Sequence, residues 1–376
     1  MLLKTILSAA MSAAVAVSPC GAPTAAGVPT AELHERLAGM VADRHITAGL
    51  IYVENGARRW SDAVGVRDLR SGIPASAQGY FRIGSVTKTF VAVVLLQLVD
   101  EGRLTLDEPT DRYLPGVVPN GTHITVRQIL QHTSGLYDYA HEPGYSTNRW
   151  RGEGRFDDYL PSELLAVAFA KDPHFPPGTS WRYSNTNYVV AGLLIEKLTG
   201  HPYGKEVEQR VLRPLHLTDS SVPGHRPTLP MPHARGYESL KTDPPTDPPT
   251  IVDATEMDPS LDYAAGEMIS TTRDQAKFVR ALLDGRLTSA TGLTQMRRTT
   301  AALPGLYRYG LGLQEFAIPC ADGPKQTWGH TGGLIGYTTV TLSDGKGRSL
   351  VLSLNPYEQD PPLDAVLSVA TAAFCR

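Results

Sequence analysis

One stretch constrains the fold of this chain more than any other: Gly84 to Gly102, GSVTKTFVAVVLLQLVDEG. Its apolar residues, from Val86 and Phe90 through Val93, Leu95, Leu96 and Val99, cover nearly every face of a helix. A helix apolar all round belongs in a protein core, so the rest of the chain must wrap it. Yet its first turn holds Ser85 and Lys88, whose i, i+3 spacing puts a hydroxyl and an amine on one face. A serine at a helix start lies among unpaired backbone N–H groups, which can stabilise a developing oxyanion. A lysine desolvated there loses its preference for the charged form and can take a proton.

The N-terminus, residues 1–26, has one early cation at Lys4, an apolar run and small residues around Ala22, and reads as a secretory signal peptide. It is too short and Ala-rich for a stable membrane span, so a secreted protein is expected. Removal of that segment, which includes Cys20, leaves Cys320 and Cys375, and two cysteines in an exported protein most simply form one disulfide. A formal net charge of -3, with no cluster of Lys and Arg, gives no field for nucleic acid. A small-molecule or peptide substrate and a monomeric state are the expectations.

The remaining chain divides by periodicity. Residues 30–41 read as an amphipathic helix, and 48–53 with 58–64 as two strands joined at Asn55 and Gly56. Between 105 and 283 helical runs alternate with Pro-rich loops, at 125–132, 162–170, 187–198, 205–212 and 272–283, with a low-complexity piece at 241–250. Short strands follow at 309–316, 326–329, 336–343 and 349–354, then a helix over 362–374. The pattern predicts a mixed α/β fold. A sheet domain built from 29–104 and 284–376 would carry a mainly helical insertion, 105–283.

Two further groups could carry chemistry. Tyr183-Ser184-Asn185 lies in a loop before a helix and offers a proton-transfer group and an amide two residues apart. His330-Thr331-Gly332-Gly333 reads as a strand end passing into a Gly-rich turn that lets a substrate approach closely. Each group alone has a plain structural explanation, as a capped helix or a strand end.

Taken together and in order, Ser85-Val86-Thr87-Lys88, Tyr183-Ser184-Asn185 and His330-Thr331-Gly332 resemble the three motifs of the serine penicillin-recognising enzymes. The Tyr and His variants are most similar to the exocellular serine-type D-alanyl-D-alanine carboxypeptidases, relatives of class C β-lactamases. The connecting text ITVRQILQHTSGLYDY and the Cys320 and Cys375 pair fit the same group. This resemblance implies an antiparallel sheet flanked by helices with a helical domain inserted, and chemistry without metal or cofactor. It implies that Ser85 is acylated, with Lys88 and Tyr183 moving protons and the choice of base between them open. Asn185 would hold the acyl group, and the N–H groups of Ser85 and Gly333 would form the oxyanion hole. His330 and Thr331 would face the leaving group, and a protonated His330 would attract an anionic one.

The chain departs from the carboxypeptidase pattern at two positions. Gln314 stands where an Arg would hold the terminal carboxylate, and Gly333 where a Thr is expected. Arg308 is the nearest substitute cation in sequence. The expected activity is removal of the terminal D-Ala from peptidyl-D-Ala-D-Ala. The alternatives are an esterase, a D-amino-acid amidase or aminopeptidase, a β-lactamase, and a sensor that acylates without turnover. No G-x-S-x-G elbow, H-E-x-x-H helix or P-loop is present.

Overall fold

A computed structural model describes residues 27–43, 46–240, 249–357, 361 and 363–375. The expected signal segment, and all of the Pro-rich piece except 249 and 250, lie outside the described residues. Twelve strands are present among them: β1 (Ile46–Asn55), β2 (Arg58–Gly65), β3 (Tyr80–Arg82), β4 (Tyr237–Leu240), β5 (Thr250–Asp253), β6 (Ile269–Thr271), β7 (Thr300–Leu303), β8 (Tyr307–Tyr309), β9 (Gln314–Ile318), β10 (Lys325–Leu334), β11 (Tyr337–Ser343) and β12 (Arg348–Pro356). The α-helices are α1 (Thr30–Asp43), α2 (Thr87–Asp100), α3 (Val126–Gln131), α4 (Pro161–Phe169), α5 (Asn185–Thr199), α6 (Tyr203–Val207), α7 (Tyr263–Gly266), α8 (Thr272–Leu283), α9 (Ala290–Met296) and α10 (Leu363–Phe374).

Eight strands form one antiparallel sheet in the order β2-β1-β12-β11-β10-β9-β8-β7, so the first and last strands of the chain pair at its interior. Period-2 alternation sends successive side chains to opposite faces. Ile51, Val53, Leu350, Leu352 and Leu354 pack with α1 and α10 on one face. Leu50, Tyr52 and Val351 join the larger core on the other. The Cys320–Cys375 disulfide, with a Cα separation of 5.2 Å, ties the end of α10 to the segment after β9.

The apolar helix lies where its composition demands. Phe90, Val91, Val93, Leu95 and Leu96 are all fully buried, and α2 packs against α5, α6, α7 and α9. The Thr125 expectation also holds: its side chain accepts from Gln128 N, completing a capping box before α3.

Two details differ from the sequence reading. Helix α8 packs on β1, β11 and β12, so the helical run 272–283 contributes to the layer over the sheet rather than only to the inserted stretch. The segment 309–316 is not one strand, because the chain breaks between β8 and β9, where Gly312 adopts a left-handed φ of 65°.

Candidate active site

The nucleophile candidate is set by the join between β3 and α2. Gly84 to Val86 form a 3-10 turn that delivers Ser85, partly exposed, directly into α2. Gly84 has φ 51°, and a Cβ there would lie 2.8 Å from Gly333 N. A Cβ on Gly332 would lie 2.0 Å from Ile83 O and 3.1 Å from Ser85 N. The two backbones touch because neither residue carries a side chain. That approach brings the N–H groups of Ser85 and Gly333 to the same end of the cleft. It also corrects the sequence reading of a Gly-rich turn: β10 continues as a strand through His330, Thr331, Gly332 and Gly333 to Leu334.

Lys88 is fully buried, and its Nζ donates to Ser85 Oγ at 3.0 Å, Asn185 Oδ1 at 2.8 Å and the Ala265 carbonyl at 2.6 Å. Burial pulls its ammonium down to about 7, against the opposing fields of Asp138 and Asp262. Tyr183 is partly exposed, but its hydroxyl is buried without a hydrogen-bond partner among the described residues, and its ring lies 4.9 Å from Lys88 Nζ. Burial pushes this phenol well above its usual range, and the nearby Ser85 hydroxyl only partly offsets the effect. Tyr183 therefore keeps its proton while Lys88 can release one, which marks Lys88 as the base available at neutral pH.

His330 does not stand as expected. It is buried, Tyr309 Oη lies 2.8 Å from its Nε2, and its Nδ1 faces the Thr331 carbonyl. Burial lowers its pKa to about 3, so it is a neutral ring and cannot attract an anionic leaving group by charge. Gln314, also buried, accepts from Thr331 N at 2.7 Å and from Thr331 Oγ1 at 3.2 Å, so its carbonyl serves to hold β10. Arg308 does not replace the missing clamp. It is exposed and bonds to Thr299 Oγ1 at 2.9 Å, on the far side of β8 from the cleft lining.

Ser85, Tyr183, Asn185, Gln314, His330, Thr331, Gly332 and Gly333 thus border one cleft of about 680 Å3, with Lys88 behind it. A family model described as beta-lactamase matches residues 33–372. The chain belongs to the beta-lactamase family. Among members of known structure, a D-stereospecific amidohydrolase from Streptomyces sp. is 38% identical, with a TM-score of 0.83 over 92% of this chain and 98% of that one. The D-amino acid amidase of Ochrobactrum anthropi SV3 is 29% identical, with a TM-score of 0.79 over 91% of this chain and 97% of that one. The Bacillus subtilis (strain 168) protein named penicillin-binding protein PbpX is 25% identical over 339 residues, 90% of this chain and 78% of its own length.

Within this beta-lactamase-family site, three residues lie outside the three motifs. Asp138 Oδ2 accepts from Asn185 Nδ2 at 3.1 Å, Asp262 lines the same wall, and His132 packs behind Tyr183 with ring centroids 4.3 Å apart. His132 and Asp138 belong to HTSGLYDY, a segment the sequence offered only as connecting text. Asp262 has no local pattern at all, and only the fold brings it to the cleft.

Proposed function

We propose that this protein is a serine hydrolase of D-amino-acid amides, and of related esters, that works through an acyl-enzyme. One observation carries the reading: neither side chain at the leaving-group positions of the carboxypeptidase pattern offers a cation, because His330 is neutral and Gln314 is committed to Thr331, while Arg149, which also lines the cleft, is exposed on the loop beside Asn148. A free terminal carboxylate would find no charged partner at those two positions, whereas a neutral amide or ester leaving group needs none. The amidase relatives support the same choice over the carboxypeptidase expected from the motifs.

The chemistry follows from the geometry. Ser85 Oγ adds to the substrate carbonyl while its proton passes to Lys88 Nζ, 3.0 Å away. The oxyanion forms against the N–H groups of Ser85 and Gly333. Collapse breaks the C–N bond, and the leaving nitrogen takes a proton delivered through the Tyr183 hydroxyl from Lys88. Water then adds to the acyl carbonyl by the same route in reverse, releasing the carboxylic acid and restoring Ser85. The disulfide supports export to an oxidising compartment, with residues 1–26 as the leader.

The test is a panel of D-phenylalanine amide, L-phenylalanine amide and diacetyl-Lys-D-Ala-D-Ala. Ammonia release from the D-amide with kcat/KM at least about tenfold above both others is expected, abolished in Ser85→Ala. A higher kcat/KM for the D-Ala-D-Ala peptide would return the protein to the carboxypeptidases.

A further inference from the structure

The helical wall of the cleft, across from β10, holds two carboxyls that the acylation chemistry does not use. Asp138 is 3% exposed and Asp262 5% exposed, and both border the cleft. Asp138 is held at both oxygens: Oδ1 accepts from Ala140 N at 3.1 Å and Oδ2 from Asn185 Nδ2 at 3.1 Å. Asp262 is not. Among the described residues it forms no ion pair, and the Thr147 hydroxyl is the polar side chain that faces its carboxyl. Its Oδ1 lies 3.1 Å from where a Cβ on Gly266 would stand, and Gly266 follows Ala265, whose carbonyl touches Lys88.

An unpaired buried carboxylate is costly, and a protein usually retains one where something else supplies the countercharge. Arg82, Lys88 and Arg151 act on Asp262 at a distance. Arg82 is engaged with the carbonyls of Pro227 and Thr255, at 2.6 and 3.1 Å, Arg151 with the Gly154 carbonyl and the Tyr159 hydroxyl, at 2.9 and 3.2 Å, and Lys88 must give up its charge to act as base. Burial raises Asp262 to about 7, which describes a carboxyl short of a cation.

Resting on the amide-hydrolase reading, we infer that Asp262, with Asp138 lining the same cleft, binds the free α-ammonium of the substrate, making the enzyme specific for unblocked D-aminoacyl amides. The ammonium would arrive on the acyl side of the scissile bond, next to the Asn185 amide. The same two carboxylates favour the charged form of Lys88, so a substrate cation between them weakens that field and leaves Lys88 readier to accept the Ser85 proton. An N-acylated substrate supplies no cation and leaves Asp262 uncompensated.

The experiment compares D-phenylalanine amide with N-acetyl-D-phenylalanine amide on the unaltered protein and on Asp262→Asn. The expected result is a preference for the free amine of roughly 10- to 100-fold in kcat/KM, collapsing to within about threefold in the variant. Hydrolysis of both amides at similar kcat/KM by the unaltered protein overturns the inference and leaves the amide-hydrolase reading intact. A preference that survives in Asp262→Asn overturns the assignment to Asp262. Turnover of neither amide removes both readings together. If the variant does not fold, the substrate pair on the unaltered protein decides alone.

Discussion

His132 Nδ1 accepts a hydrogen bond from the backbone N–H of Ser184 at 3.2 Å, so a buried ring fixes the chain between Tyr183 and Asn185. The same nitrogen accepts from Asn187 Nδ2 at 3.2 Å, and the His132 carbonyl accepts from Arg182 N at 3.0 Å. Tyr183 is thus bracketed on both sides by bonds to one residue. His132 adopts the left-handed conformation at the end of α3, φ 62°, and burial holds its ring neutral. With Nδ1 accepting, the ring proton belongs on Nε2, which has no hydrogen-bond partner among the described residues.

His132 is accordingly a positioning residue. His132→Phe keeps a ring but strands two donors, and should lower kcat by about 10- to 100-fold with KM little changed. His132→Asn returns an acceptor near the Nδ1 position and should recover most of the loss. Steady-state kinetics of both variants on one amide substrate make the check. Equal kcat values for His132→Phe and His132→Asn would remove the positioning role.

The pH profile follows from Lys88 and His330. Lys88 must be neutral to accept the Ser85 proton, and its pKa is pulled to about 7, so kcat/KM should rise with pH through that value and level off above it. His330, pulled to about 3, stays neutral across pH 5 to 9 and should add no limb of its own. Asp138 and Asp262 favour the Lys88 ammonium, so Asp262→Asn should move the limb to lower pH. Measurement on a neutral ester keeps substrate ionisation out of the profile. A flat profile between pH 5 and 9 would exclude Lys88 as the base.

Gly332 and Gly333 are neighbours with opposite tolerances. A methyl group on Gly332 would meet backbone, Ile83 O at 2.0 Å, and must push β10 away from Ser85. On Gly333 it would find only Asn148 Oδ1 at 3.9 Å. Gly332→Ala should cost about 1–3 kcal/mol and lower Tm by several degrees, with loss of acylation by a labelled penicillin. Gly333→Ala should leave Tm within about a degree. Thermal unfolding of the two variants, followed by intact-mass measurement of the adduct, distinguishes them. Equal Tm values would mean that β10 does not touch the segment 83–85 as described.

The sequence carried the parts of this site that depend on local pattern. The all-round apolar character of α2 required burial, and the i, i+3 spacing of Ser85 and Lys88 required a shared face, so an amine desolvated beside a hydroxyl followed without a structure. Thr125 likewise announced the start of α3. What the sequence could not carry is set by contacts between distant segments. The charge state of His330 depends on Tyr309 and on the depth of the cleft, neither visible in His-Thr-Gly. Glycines 332 and 333 suggested a turn, whereas they keep a strand flat against Gly84. Asp262 reads as one acid among several until the turn into α7 brings it to the cleft wall.

The pairing of β1 with β12 has a consequence for when this enzyme becomes active. Ser85 comes from the early chain and Gly333 from the late chain, and in the folded sheet β10 is tied to β1 through β11 and β12. Ser85 and Gly333 therefore meet only through a contact of large sequence separation. A chain still being synthesised holds a serine and a lysine on an exposed apolar helix but has nothing to hold the oxyanion. Until the C-terminal strands arrive, it is catalytically silent.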